Sequence, residues 1–268
     1  MRLQVRIDPP APGAANMERD LELAAAAVAG GEARLRLYAW SPPAVSIGLH
    51  QSPEGACDPA ACAALGWDGV RRPTGGRAVL HAADEVTYAV ALPLGAAPEG
   101  VLAAYALLAE GLLQGYRRLG LPAQFALGRR LHERTGACFD APAAHEIVCG
   151  GRKIAGSAQV RRAGYLLQHG SLPVRFDPAL HARLLGLPPA AAAALGRRAA
   201  GIADFLSPPP PWRVVALAMA AGFRQALRPV PPNPRPASGA MADDGGGVPA
   251  GPGDPRNPRT QPQPAWPA

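Results

Sequence analysis

From Pro229 onward the chain offers almost no large apolar side chain. Residues 230–268 are mostly Pro, Gly, Ala, Asp, Asn and Arg. Such a stretch cannot bury enough surface to offset the entropy lost on ordering it. Folding is left to what precedes it. The expected organisation is one globular unit at residues 1–228 and a disordered Pro/Gly-rich tail at residues 229–268. Hydrophobic residues make up 48% of the chain, enough for a sizeable core in that unit. No run of about 18 apolar residues occurs, so no transmembrane helix is expected. The opening Met1-Arg2-Leu3-Gln4-Val5-Arg6 alternates like a strand and lacks the apolar stretch of a signal peptide. A cytoplasmic location without a membrane partner is the expectation.

Within the folding part, helical and strand patterns mix. Met17 to Val28 reads as a helix with Asn16 as its N-cap. Arg34 to Ala39 and Ala44 to Ile47 read as strands. Asp58-Pro59 starts a short helix, because an acceptor side chain followed by proline suits a helix start. Ala78 to Leu80 and Glu85 to Leu92 read as a strand pair, and Glu99 to Leu119 as the longest helix. Glu146 to Cys149, Lys153 to Val160 and Tyr165 to Leu172 read as a meander, with turns at Gly150-Gly151 and Arg162-Ala163-Gly164. Pro178 to Leu185, Pro189 to Leu195 and Trp212 to Leu227 read as later helices. The mixture predicts an α+β domain with a mixed, largely antiparallel sheet flanked by helices.

Of 27 basic residues, only Lys153 is a lysine. Arginine stays charged and planar, whereas a lysine ammonium can exchange a proton once burial lowers its pKa. A lone lysine in an arginine-rich chain therefore marks a position where arginine would not serve. The net charge of +7 comes from arginine pairs spread along the chain, and aromatics are only 5%. Base stacking needs more aromatic surface than that, so no nucleic acid is expected. An acidic protein partner suits this charge better. The four cysteines, Cys57, Cys62, Cys138 and Cys149, form no CxxC and no metal-ligand spacing. No metal is expected, and Cys57 and Cys62 read as helix residues without a chemical role.

Three stretches carry candidate chemistry. In Arg71-Arg72-Pro73-Thr74-Gly75-Gly76-Arg77-Ala78-Val79-Leu80-His81, two glycines let the backbone approach a ligand, and three arginines would attract a phosphate or carboxylate. By itself a Gly-Gly turn beside a strand more often makes a plain hairpin. Cys138 lies in the loop Gly136 to Pro142, ahead of Lys153. With an ordinary pKa of ~8.5 it is a few per cent thiolate at neutral pH, and a nearby cation would raise that fraction. The bare sequence equally describes a small buried cysteine. In Gln168-His169-Gly170-Ser171-Leu172, His169 reads as a structural strand histidine, since no carboxylate lies near it in sequence.

Taken together, these stretches resemble the lipoate-protein ligase A / octanoyltransferase family of the biotin and lipoate ligase fold. The resemblance rests on Asn16-Met17 with Asp20, Leu37 to Gly48, Arg71 to His81, Arg152 to Gln159 and Leu167 to Ser171, in the expected order. It implies a curved central sheet cradling an acyl chain. It also implies substrate contacts from Arg72, Gly75, Gly76, Arg77, Ala78, Val79, His81, Gly156, Ser157, Ala158, Gln159 and His169. Gly75-Gly76-Arg77-Ala78-Val79-Leu80-His81 and Cys138-Phe139 are similar to octanoyltransferases of the LipM type, which work without ATP. The chain departs from the family pattern at Ala143-Ala144-His145, at Ala82-Ala83 and at Ala89.

The transferase resemblance implies a Cys138 thioester, with Lys153 as the second catalytic residue. It implies octanoyl-acyl carrier protein as donor and a lipoyl domain as acceptor, such as glycine cleavage H protein. No cofactor is implied. An ATP-dependent lipoate ligase, an amidotransferase between lipoyl domains, and a non-catalytic acyl- or carrier-binding protein remain alternatives.

Overall fold

The computed structural model describes residues 1–126 and 145–228. Cys138 and the Pro/Gly-rich tail lie outside the described residues. In chain order the elements are β1 (Leu3–Ile7), α1 (Gly13–Gly30), β2 (Ala33–Tyr38), β3 (Ala44–Ile47), α2 (Pro59–Ala64), β4 (Asp68–Arg71), β5 (Val79–His81) and β6 (Val86–Pro93). There follow α3 (Val101–Arg118), β7 (Gln124–Phe125), β8 (Ile147–Cys149), β9 (Arg152–Lys153), β10 (Gly156–Arg162) and β11 (Tyr165–Leu172). The last helices are α4 (Pro178–Leu184), α5 (Ala191–Arg198) and α6 (Trp212–Ala226).

Five strands form the central sheet in the order β1-β2-β6-β11-β10. Only β1 and β2 run parallel; the other three pairings are antiparallel. The mixed, largely antiparallel α+β prediction holds. Successive side chains of a strand point to opposite faces, and β6 shows what each face meets. Val86, Tyr88, Val90 and Leu92 pack with α3 and α6, while Ala89 and Ala91 pack with α1. Helices on both faces explain why β6 is apolar almost throughout. Leu35, Leu37, Val90 and Leu92 are fully buried, each contributing about 1.5–3 kcal/mol relative to exposure. On the α1 face, however, the same strands carry Arg36, Tyr38, Thr87, His169 and Ser171. All five are buried, and the candidate site is built from them.

A smaller sheet, β4-β3-β5, places β3 between a parallel and an antiparallel neighbour. The expected pairing of Ala78 to Leu80 with Glu85 to Leu92 is corrected here. β5 pairs with β3 and β6 joins the central sheet, so the chain changes sheets between His81 and Val86.

The expected meander is also divided. β7, β8 and β9 form a third sheet, and β10 belongs to the central one. The strand read as continuous from Lys153 to Val160 breaks at Ile154-Ala155. Both residues are buried in the core, Ile154 N–H bonds to Ile147 O, and the Tyr116 hydroxyl donates to Ile154 O at 2.6 Å. The two turns are as expected. Gly150-Gly151 and Ala163-Gly164 all take positive φ, as two-residue primed hairpin turns require.

Helix starts divide similarly. The Asp58 carboxylate caps α2 by accepting from Ala61 N–H at 3.0 Å. Asn16, expected as an N-cap, instead lies one turn inside α1. Its amide donates to Ala11 O and Ala39 O, and its side-chain oxygen accepts from Arg36. That triple demand outweighs capping.

Removing the Tyr116 hydroxyl tests what holds the sheet change. Tyr116→Phe should lower unfolding free energy by about 1–2 kcal/mol, since it leaves a buried carbonyl without its donor. Urea denaturation measures it, and an unchanged midpoint would show that the bond contributes nothing.

Candidate active site

Asp20, on the inner face of α1, is fully buried. Its Oδ1 accepts from Arg36 Nη1 at 2.7 Å, and its Oδ2 from the Tyr38 hydroxyl at 3.0 Å and His169 Nδ1 at 2.9 Å. Burial, reinforced by the Asp20 charge, pushes the Tyr38 phenol well above its ordinary pKa, so it stays protonated as a donor. For Arg36, burial opposes the charge, but Asp20, Tyr38 and Asp8 together outweigh it and the guanidinium is held above its ordinary value. A carboxylate only accepts, so His169 carries its proton on Nδ1. Its Nε2 then accepts from the Thr74 hydroxyl at 2.6 Å. Burial pushes the His169 pKa below the ordinary value even though Asp20 favours the charged form. The expectation that His169 has no carboxylate to orient it is corrected. Asp20 does so from 149 residues away.

Glu85 makes a second centre. It accepts from His81 Nδ1 at 2.8 Å, from the Thr87 hydroxyl, and from the Ser171 hydroxyl at 2.6 Å. By the same reasoning His81 Nε2 accepts from the Ser46 hydroxyl at 2.8 Å. Ser46 Oγ in turn accepts from Arg72 Nη1 at 3.2 Å. The His81 ring stacks on Trp40 with centroids 4.1 Å apart, and the Trp40 indole donates to Thr87 Oγ1 at 2.7 Å.

The arginine pair is spent on backbone. Arg71 Nη1 bonds the carbonyls of Gly48, Leu49 and Gln51. Arg72 bonds those of Ser46, Gly75 and Arg77. Arg72 braces the glycine loop and Arg71 the segment after β3, which corrects, for these two, the reading of three arginines gathered to attract an anion. Arg77 alone has a half-exposed guanidinium with no partner among the described residues. The loop also explains Gly48: a Cβ there would lie 2.0 Å from Gly76 O.

Between these networks lies a pocket of about 360 Å³, open mouth included. Of the residues expected to contact substrate, Arg72, Val79, His81, Gly156, Ser157, Ala158 and His169 line it. Gly75, Gly76, Arg77, Ala78 and Gln159 do not. Ala78 faces the apolar cluster beneath α2 and α4, and Gln159 bonds the Gln168 side chain. The remaining lining includes Met17, Tyr38, Trp40, Ser46 and Thr87. Glu85 and Ser46 were missed by the sequence reading. The available signal was the four-residue step from His81 to Glu85.

Lys153 is 2% exposed, and its ammonium meets Glu146 Oε1 at 2.6 Å. It lies three residues before Gly156, beside the sheet change and outside the pocket lining. Whether Cys138 approaches it falls outside the described residues, among which no cluster of three or more His, Cys, Asp or Glu could hold a metal.

A family model for the lipoyl protein ligase A/B catalytic domain matches residues 12–224. The chain is 43% identical to an octanoyltransferase LipM of Symbiobacterium thermophilum, over 81% of this chain and 83% of that one. A second octanoyltransferase LipM, from an Exiguobacterium, is 46% identical over 56% of this chain and 58% of its own length. A solved bi-partite lipoate protein ligase of Thermoplasma acidophilum, studied with its E2 lipoyl domain, superposes with a TM-score of 0.66. It is 23% identical, covers 84% of this chain and 83% of that chain, and shares the fold.

The depressed His169 pKa has a pH consequence. Below the unfolded value of about 6.5, the unfolded state takes up a proton that the folded state refuses. Stability should be full above that pH and fall as pH drops toward the lower folded value. His181, likewise lowered by burial, adds to the slope. His169→Gln should flatten this slope to the His181 share; an unchanged slope in denaturation between pH 7 and 5 would contradict the assignment.

Proposed function

Because the chain belongs to the family of lipoyl protein ligase A/B catalytic domains, we propose that it is an acyltransferase moving an octanoyl group to a lysine of a lipoyl domain during protein lipoylation. The identity to an octanoyltransferase over four-fifths of both chains is the observation that carries this reading. The pocket supports it physically. Asp20, His169, Glu85, His81 and Ser46 have their hydrogen bonds directed at one another. Polar groups satisfied in this way do not demand water, so an apolar chain can replace it between Met17, Trp40, Val79 and Ala158 at little desolvation cost.

We assign the activity to residues 1–228, with octanoyl-acyl carrier protein as donor and the glycine cleavage H protein as an acceptor. The Cys138 thiolate attacks the donor thioester, forming an S–acyl bond as the carrier thiol leaves. The acceptor lysine amine then attacks this acyl-cysteine; a C–N bond forms, the Cys138 C–S bond breaks, and the amine proton is released. Lys153, with Glu146 beside it, favours the thiolate and relays that proton. Backbone N–H groups near Gly156-Ser157 serve the oxyanion. The net charge of +7 suits acidic carrier proteins.

Transfer of octanoyl from its carrier to H protein, followed without ATP, tests the scheme. Cys138→Ala should lower the rate by at least ~10³-fold, the scale expected for losing a nucleophile. A near-normal rate would sink the covalent route, and a strict need for ATP would favour the ligase. Lys153→Arg keeps the charge but loses ready proton exchange. It should cost roughly 10²-fold, and full activity would reduce the role of Lys153 to electrostatics.

A further inference from the structure

Away from the pocket, the start of α2 brings two sulfurs together. Asp58 is the cap, and its carbonyl accepts from Cys62 N–H at 3.0 Å. Cys57 is therefore the residue before the cap, and Cys62 the fourth residue of the helix. Side chains at these two positions pack on each other when a helix start carries an apolar staple. Here the staple is a pair of thiols. Both are buried in one apolar cluster with Val45, Ile47, Ala78 and Leu80. Each thiol shifts the ionisation of the other. Cys149 belongs to a different cluster, against α3 and α6.

We infer that Cys57 and Cys62 are a redox-modifiable dithiol, which closes to an intrachain disulfide across the first turn of α2 when it meets a low-molecular-weight disulfide. The expectation that both cysteines are helix residues is corrected for one of them. Cys57 lies outside the helix, and the capped turn, not the sequence spacing, brings it to Cys62. The inference is independent of octanoyl transfer.

The direction of the reaction follows from the pair itself. Cys62 beside it holds the Cys57 thiol below its ordinary pKa, while Cys57, with burial, holds Cys62 above. Cys57 ionises first and is the attacking sulfur. It is also the more exposed, at 6% against 1%, and follows the exposed Glu54-Gly55 turn. Its thiolate attacks one sulfur of the external disulfide, forming a mixed disulfide and releasing one thiolate. Cys62 gives up its proton and attacks the Cys57 sulfur, releasing the second. One external disulfide is reduced to two thiols, and the two cysteines are oxidised to one bond.

The position matters because β3 has two sides. Val45 and Ile47 face the cysteine cluster, while Ser46 between them lines the pocket and bonds His81. A closed staple stiffens the layer behind that wall.

The test uses the full chain equilibrated with oxidised glutathione, then alkylated, digested without reductant and mapped by mass. The peptide holding Cys57 and Cys62 should be two hydrogens lighter and unalkylated, and dithiothreitol should reverse this. Closing the short loop should raise Tm by roughly 5 °C. Cys62→Ser should trap glutathione on Cys57, and Cys57→Ser should leave Cys62 unmodified. Full alkylation of both cysteines after oxidant, or glutathione retained on Cys57 in the unsubstituted chain, would overturn the inference.

Discussion

Asp20 holds its carboxylate where water has no access. Burying an unpaired charge costs several kcal/mol, so donors must converge on it. Arg36 and Tyr38 supply them from β2, and His169 from β11. These contacts set the position of α1 over the central sheet, and Arg36 reaches further to Asn16 O and to the Asp8 carboxylate. A buried charged centre of this kind is weak evidence for stability. Its effect lies in register, because sliding α1 or either strand would leave a buried charge alone. His169 then passes the constraint to Thr74 and so to the glycine loop between β4 and β5.

Glu85 does the same at the other end of the pocket. It collects His81 from β5, Thr87 from β6 and Ser171 from β11, and Trp212 at the start of α6 donates to its carbonyl. The two sheets are thus joined by side-chain bonds where they share no strand pairing. Between the two centres, Arg72 fastens the glycine loop through backbone carbonyls. The result is a rigid wall whose polar groups are occupied, fit for apolar cargo. Lys153 stands apart, placed by the break between β9 and β10.

Local chemistry made part of this legible. Asp58-Pro59 is a self-contained helix start and caps as such, and the helix expected from Pro178 has Asp177 as its cap. Paired glycines and Ala163-Gly164 announced their turns, because positive φ is a property of one or two residues. Long-range choices were not legible. Whether Val79 to His81 pairs with β3 or β6 depends on sheets that alternation cannot distinguish. The carboxylate serving His169 lies on α1, so sequence proximity pointed away from it. Arg71 and Arg72 looked like anion binders, because sequence cannot show that nearby carbonyls would take their donors. Of the residues that the family resemblance placed in the site, Gly156, Ser157 and Ala158 on β10, His169 on β11 and the inner face of β5 line the pocket. The loop residues Gly75, Gly76 and Arg77 do not.

The account turns on whether an acyl group passes through the protein itself. Intact-protein mass after mixing with octanoyl-acyl carrier protein, without ATP, measures this most directly. The account predicts one octanoyl adduct, labile to hydroxylamine and mapped to Cys138. The absence of any adduct, together with acceptor modification from free octanoate or lipoate and ATP, would contradict it.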